Sequence, residues 1–361
     1  MAAALAAQLT ADGDLTSDWR EAFERVPRQV FLPGRSLAEA YANEAVVVQQ
    51  RTAGIVGGGS LELPTSAASQ PAVVAAMLAR LPDRPGMRVL EIGTGTGYNA
   101  ALLCHRLGEA HVFSVDIDPQ LVDTARDALA GLGHHPTLAA GDGYLGLPAG
   151  EPYGAILATC AITHVPPAWI DQLAVGGRIV APLHGPGCAL MVLDKTATDE
   201  VTGRFDSYLT GFMPLRDRLD NPLRPGQQLG FSGSRIAHHG STDVNPAEVA
   251  DADFDLRLFL HLHLPGLQLG AVDRDGVPTV TVTTLGSQAE AALATATAGR
   301  WPTSQRGQHR PWDTVEHALR RWRRLGRPPR DRFGITARND AARQYVWLDD
   351  PDGPDCWPMP L

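Results

Sequence analysis

The string Gly93-Thr94-Gly95-Thr96-Gly97 constrains this 361-residue chain more than any other. It ends the apolar run "RVLEIG" (88–93) and opens "YNAALLCHRLG" (98–108), which reads as a helix stopped by Gly108. A buried strand, a glycine turn and a helix follow one another without a gap. The glycines permit positive φ and let a ligand approach the backbone. The first turn of the helix offers N–H groups with no partner of their own.

The unit repeats. "HVFSVDID" (111–118) reads as a strand, and "PQLVDTARDALAGLG" (119–133) as a helix with Pro119 near its start and Gly133 at its end. "TLAAGDG" (137–143), "GAILAT" (154–159), "GRIVAPL" (177–183) and "ALMVLDK" (189–195) continue as strands, with "PPAWIDQLA" (166–174) as a short helix between two of them. Alternating strands and helices predict an α/β fold, a mostly parallel sheet with helices on both faces. "GRFDSYLTGFMPLR" (203–216) is expected to close it with an edge strand.

Upstream, residues 1–45 read as helical. Ser17 is an N-cap candidate with Glu21 near the capping-box position, and Trp19, Phe23 and Val26 follow at helical spacing. Residues 46–69 read as extended, with "GIVGGGS" as a flexible piece. From Pro71, the residues Val73, Val74, Met77, Leu78 and Leu81 form a helical stripe closed by Pro82 and Pro85. After about residue 217 the pattern changes to an α+β appendage. Leu256 to Leu264 alternate and read as strands, "PTVTVTT" is another strand, "PWDTVEHALRRWRRLG" (311–326) is an amphipathic helix, and "RFGITARNDAARQYVWLDD" is a hairpin. Its tryptophans, Trp301, Trp312, Trp322, Trp347 and Trp357, are read as core.

A formal charge of −9 argues against a nucleic-acid partner, which needs a basic face. "RRWRRLGRPPRDR" (320–332) is a local exception, read as a solvated helix face or as a dock for an acidic peptide. Cys104, Cys160, Cys188 and Cys356 form no C-x-x-C pair, which fits a reducing cytoplasm. "MAAALAAQLTADGD" lacks the basic leader of a signal peptide. No apolar run approaches the roughly 18–20 residues of a membrane span, so no membrane partner is expected. His261 and His263 share one face of a predicted strand, but no third ligand accompanies them and no metal is expected.

The glycine loop narrows the cofactor. A dinucleotide fingerprint requires G-x-G-x-x-G or A; counted from Gly93, its last position is the bulky Tyr98. The spacing is instead G-x-G-x-G, with Glu91 two residues before the first glycine. That form resembles motif I of S-adenosylmethionine-dependent methyltransferases. Asp116, ending the second strand, can accept hydrogen bonds from both ribose hydroxyls, and Asp142-Gly143, ending the third, can contact adenine.

"VLEIGTGTGYNAALLCHRLG", "GDGYLGLPAGEPYGAILAT" and "LAVGGRIVAPL" together resemble protein-L-isoaspartate O-methyltransferases, as do "AFERVPRQVFLPG", "AYANEAV" and "SQPAVVAAML" upstream. The resemblance covers roughly residues 15–216. It implies a Rossmann-like S-adenosylmethionine-dependent methyltransferase domain over 1–216, divided into a helical segment (1–45), a substrate loop (46–70) and a cofactor core (71–216). The resemblance does not extend to residues 217–361, which are read as an accessory domain with peptide recognition as its candidate role. It also implies that S-adenosylmethionine, leaving as S-adenosylhomocysteine, is held by Ser66, Ala68, Glu91, Gly93, Thr94, Gly95, Gly97, Asn99, Asp116, Ile117, Asp142, Gly143 and Thr159. The acceptor meets Ala67, Ser69 and His164, with Ser69 at the carboxylate and the transferring methyl. Two of these residues have a second reading: Ser69 as a cap for the Pro71 helix, and His164 as rim packing. Cys160 is read as packing.

The family's substrate loop reads Q-T-I-S; here Ala67 stands for its Thr and Ala68 for its Ile. The wider pocket and the appendage resemble family members that methylate an Asp side chain of a modified, ribosomally made peptide. The resulting ester is a better leaving group, and a neighbouring N–H can close it to an aspartimide. Peptide tailoring is therefore the leading expectation, general isoaspartyl repair the alternative, and a silent peptide-binding scaffold the third. No general base is required, because a carboxylate is already ionised at neutral pH. Small side chains and backbone N–H groups suit the alignment of the reacting atoms out of water.

Overall fold

The computed structural model describes residues 1–54, 59–217, 237–284, 287–293 and 299–359. Two helices open the chain, α1 (Ala2–Ala11) and α2 (Ser17–Arg25). Thr16 rather than Ser17 is the residue at the N-cap of α2, with no side-chain bond. The capping box lies further on, at the one-turn helix α3 (Leu37–Ala40), between Ser36 and Glu39. Strands β1 (Val46–Gly54) and β2 (Ser60–Ala68) form an antiparallel ribbon. Residues 55–58 of the "GIVGGGS" piece lie outside the described residues. Helix α4 (Pro71–Leu78) follows at once.

The alternation then runs as predicted: β3 (Val89–Ile92), α5 (Tyr98–Leu107), β4 (Val112–Asp116), α6 (Pro119–Ala130), β5 (Thr137–Ala140), β6 (Tyr153–Ala158), α7 (Pro167–Gln172), β7 (Leu173–Pro182), β8 (Ala189–Ala197) and β9 (Glu200–Leu209). Helix α5 stops where Gly108 takes φ +85°, and α6 starts where the Asp118 carboxylate accepts the Gln120 N–H at 2.9 Å. Strands β7, β6, β3, β4 and β5 are parallel neighbours, and β8 and β9 add antiparallel to β7. The chain leaves β3 towards β4 and returns on its other side at β6. Such a switch point opens a crevice beyond the carboxyl ends of the strands.

Each sheet face has its own core, as the two-residue period of a strand requires. Val89, Ala155, Leu157 and Val180 point to one side and pack with α1, α2, α4 and α5. Leu90, Ile92, Ile156 and Ile179 point to the other, with Trp169 and Ile170 of α7.

The second core continues into the C-terminal region. There β10 (His238–Thr242), α8 (Pro246–Ala250) and α9 (Phe254–His263) precede a meander of β11 (Gln268–Arg274), β12 (Val277–Thr284), β13 (Ser287–Ala292) and β14 (Trp301–Gly307). Those five strands form a sheet in the order β10-β14-β13-β12-β11. Helix α10 (Pro311–Arg324) buries Trp312, Val315, Leu319 and Trp322 along one stripe, each worth roughly 1.5–3 kcal/mol when removed from water.

Two differences from the sequence reading stand out. Leu256–His263 belongs to a helix, α9, with Leu264 at its C-cap, rather than to strands; Asp253 caps its start by accepting the Leu256 N–H at 2.8 Å. Strand β9 is not an edge. The chain returns as β15 (Phe333–Arg338), β16 (Gln344–Leu348) and β17 (Cys356–Pro358), and β15 pairs antiparallel with β9. Among the described residues the main sheet therefore has ten strands, in the order β17-β16-β15-β9-β8-β7-β6-β3-β4-β5.

The arginine run is largely engaged within the chain. Arg320, Arg321, Arg323, Arg330 and Arg332 pair with Asp243, Asp355, Glu248, Asp255 and Asp349. No helix among the described residues is long and apolar enough to cross a membrane, and all four cysteines are free thiols.

Candidate active site

The crevice at the switch point is an open cleft. The Gly93–Thr96 loop forms one wall, and the end of β2 with the following Ser69, Thr65–Ser69, faces it. Gly93 has φ +97°, and a Cβ there would lie 2.8 Å from Thr159 Oγ1. The Thr159 hydroxyl in turn donates to Gly93 O at 2.8 Å. Any side chain at Gly93 would break this close approach of the loop to the end of β6.

Glu91 anchors the loop from below. It has no exposed surface and accepts Asn99 Nδ2 at 2.7 Å and Ser114 Oγ at 2.5 Å. Burial pushes its carboxyl up to about 7, against the pull of those two hydrogen bonds. Thr94 joins the network through Ser114, 2.6 Å from hydroxyl to hydroxyl. Asp116 holds the loop from the side, accepting Gly95 N at 2.8 Å and Asp118 N at 3.0 Å. Burial raises its pKa, while the Gly95 and Asp118 hydrogen bonds and the charge of Arg216 oppose the rise.

Of the residues singled out in the sequence, Ser66, Ala67, Ala68, Ser69, Glu91, Gly93, Thr94, Gly95, Asn99, Asp116, Ile117, Gly143 and Thr159 all line the cleft. Three do not. Gly97 makes the left-handed turn into α5 with φ +89°, and a Cβ there would meet Ala125 Cβ at 3.0 Å. Asp142 accepts the Tyr144 N–H at 2.9 Å and so orients the turn that carries Gly143. His164 stacks on the Tyr144 ring at 5.9 Å. Ser69 is not the cap of α4, because Gln70 holds that position and makes no side-chain cap bond. His263 is committed to packing, donating from Nδ1 to Phe259 O and accepting Trp357 Nε1 at Nε2. Among the described residues no three His, Cys, Asp or Glu side chains gather as a metal site.

The sequence reading missed the roof of the cleft. Met213, Pro214, Leu215 and Arg216 fold back over the end of β6, with Ala161 N donating to Met213 O and Leu215 N to Ala161 O, both at 2.8 Å. Arg216 is 8 % exposed and donates to Thr65 O at 3.3 Å. The cleft therefore contains a cation where small side chains and backbone N–H groups were expected. Burial lowers the Arg216 pKa and the Asp116 charge opposes that. No local pattern in "FMPLRD" announces this placement. Cys160 also lines the cleft, and burial pushes its thiol far above the usual range, which fits packing.

The cleft meets the needs of S-adenosylmethionine. Gly95 carries φ +52° where a ligand must approach the backbone. Asp116 has lone pairs to spare beyond its two backbone donors. The buried Asn99 Oδ1 lacks a hydrogen-bond partner, and such an acceptor is costly unless a ligand donor meets it.

Comparison with known proteins agrees. The family profile described as Protein-L-isoaspartate(D-aspartate) O-methyltransferase matches residues 2–220. A protein-L-isoaspartate O-methyltransferase of Methylorubrum populi is 40% identical over 212 residues, covering 58% of this chain and 92% of that protein. The protein-L-isoaspartate O-methyltransferase 2 of an Anaeromyxobacter species is 39% identical over 215 residues, 58% of this chain and 80% of that protein. A solved protein-L-isoaspartate O-methyltransferase superposes with a TM-score of 0.55 over 97% of this chain and 100% of its own, at 21% identity, which bears on the fold alone. The glycine loop, its acidic anchors and these matches lead to one statement: the chain belongs to the protein-L-isoaspartate(D-aspartate) O-methyltransferase family of S-adenosylmethionine-dependent carboxyl methyltransferases.

Proposed function

We propose that this protein methylates the free carboxylate of isoaspartyl residues in the chains of many proteins, as a repair enzyme, with Ser69 meeting the acceptor. The observation that carries the reading is the apposition of Ser66–Ser69 and the Gly93–Thr96 loop across one cleft. When bound, S-adenosylmethionine supplies a methyl carbon on a sulfonium, open to in-line attack by a carboxylate oxygen. The chain's own part is alignment and exclusion of water. Asp116 and Asn99 are assigned to the cofactor, as a carboxylate for ribose hydroxyls and an acceptor for a ligand N–H. Gly143 is assigned to the adenine side, and Ser69 to the acceptor carboxylate. No side chain has to remove a proton, since the nucleophile is ionised at neutral pH. Arg216 balances Asp116 and so limits the negative charge that an incoming carboxylate meets.

The alternative, tailoring of an aspartyl side chain in a modified precursor peptide with closure to an aspartimide, is favoured by Ala67 and Ala68, which give the cleft small walls. The relatives lend it nothing, and general repair takes precedence.

A short peptide with one isoaspartyl residue is the decisive probe, beside the same peptide with ordinary aspartate. Methylation of the first and not the second, read as a gain of one methyl by mass, is the expected result. No reaction with either peptide would overturn it. Asp116→Ala should weaken cofactor binding at least about tenfold, the scale of one or two lost charged hydrogen bonds, measured by calorimetry.

A further inference from the structure

Ser69 sits at a joint that its own neighbours do not hold. The next helix starts with Pro71, which has no N–H, and its N-cap residue Gln70 supplies no side-chain cap. The joint is held from the N-terminal segment instead. Asn43 Oδ1 accepts the Ala72 N–H at 3.0 Å and so caps α4 from 29 residues away. Arg28 Nη2 donates to Ser69 O at 3.0 Å, 41 residues away. The same guanidinium donates to Ala40 O at 2.8 Å, Ala42 O at 3.1 Å and Glu44 O at 3.1 Å. Arg28 therefore grips both sides of Asn43 and the carbonyl of Ser69 at once.

The grip is buried. Arg28 is 0 % exposed and lies 5.7 Å from the ring centroid of Tyr98, a residue of the cleft wall. A fully buried cation is costly, and each of these hydrogen bonds goes to a neutral carbonyl. An apolar side chain would avoid that cost but leave the Ala40, Ala42, Glu44 and Ser69 carbonyls without this donor. What the planar guanidinium adds is direction: its donors fix the angle of the Ser69–Gln70 peptide relative to residues 40–44. That peptide's angle sets where the Ser69 side chain points.

We propose that Arg28 and Asn43 are positioning residues, a clamp that fixes Ser69 and the start of α4 against the cleft. The inference rests on the reading that Ser69 meets the acceptor. It assigns a role in turnover to the N-terminal segment, none of whose residues lines the cleft. Misplacement of a contact by about 1 Å can cost on the order of a hundredfold in rate, so a loosened joint is read in kcat.

The test uses the full chain, a short isoaspartyl peptide that the wild type methylates, and five variants: Asn43→Ala, Asn43→Asp, Ser69→Ala, Ser69→Ala/Asn43→Ala and Arg28→Lys. Asn43→Ala should lower kcat about tenfold, a partial form of that alignment loss, with cofactor affinity by calorimetry unchanged. Asn43→Asp, which keeps the acceptor oxygen, should recover most of the rate. The double variant should be no slower than Ser69→Ala alone, because the clamp acts through Ser69. Arg28→Lys should lose kcat as Asn43→Ala does; if it does not fold, the Asn43 series decides. A wild-type kcat in Asn43→Ala with a lowered melting temperature would overturn the clamp and leave Ser69 standing. Multiplying losses in the double variant would do the same. Wild-type turnover in Ser69→Ala would instead remove the reading of Ser69, and the clamp with it.

Discussion

Glu91 is an acid placed where water cannot reach it, and it serves by holding a loop. Its two donors, Asn99 and Ser114, come from the helix after β3 and from the neighbouring strand, so one carboxyl sets the relation of three elements. Its raised pKa, about 7 against an ordinary 4.5, has a consequence for stability. The folded chain keeps a proton that the unfolded chain releases. That contribution is complete below about 4.5 and is lost as pH rises through about 7. Thermal unfolding across this window should show the wild type losing stability relative to Glu91→Gln, which has no proton to release. A constant difference would mean that Glu91 titrates as in water. The acidic residues of the site were legible because their positions follow strand ends. Arg28 was not: a lone arginine reads as surface, and its acceptors are carbonyls 12 to 41 residues distant.

At the level of elements, side chains latch the β1–β2 ribbon to the cofactor core at Asp118, besides the Arg216 bond to Thr65 O. Asp118 accepts the Gln120 N–H as the cap of α6, and also Gln49 Nε2 at 2.8 Å and Arg51 Nη2 at 3.1 Å from the ribbon. Asp118→Ala should cost about 1–2 kcal/mol of stability, the worth of a lost cap with a partly exposed ion pair. It should also speed tryptic cleavage after Arg51, since the ribbon loses its tether. Asp118→Asn, which keeps the cap, should fall between. Cleavage at the wild-type rate in Asp118→Ala would show that the backbone ladder and the Arg216 bond to Thr65 O hold the ribbon without Asp118. The strand–helix alternation of residues 88–195 was legible because each helix covers one face and each strand carries apolar runs. Helix α9 was misread for the converse reason. Leu256, Leu258, Phe259, Leu260, His261 and Leu262 are all buried, and a segment buried nearly all round carries no helical period to separate it from alternation.

For the whole molecule, the informative fact is the return of the chain to its first sheet. β15 covers β9, and Phe333, Ile335, Val346 and Trp357 join the core that contains Met191, Leu193 and Phe205. Partner choice between distant strands leaves no local pattern, so the sequence showed the β15–β16 hairpin but not its place. Deletion of residues 333–361 should yield insoluble or unfolded protein rather than a shorter enzyme, checked by recovery and thermal unfolding; a folded, active product would show that β9 tolerates exposure. The same pairing sets a timetable for synthesis. Thr202, whose hydroxyl donates to Ile335 O across this pair of strands, lies 133 residues before it. At roughly 5–20 residues per second, β9 leaves the ribosome on the order of ten seconds before the strand that seals it. During that interval the nascent chain carries an open hydrogen-bonding edge, the kind that pairs with whatever strand comes near. The growing chain is therefore most exposed to misassembly after β9 has been made and before β15 arrives to pair with it.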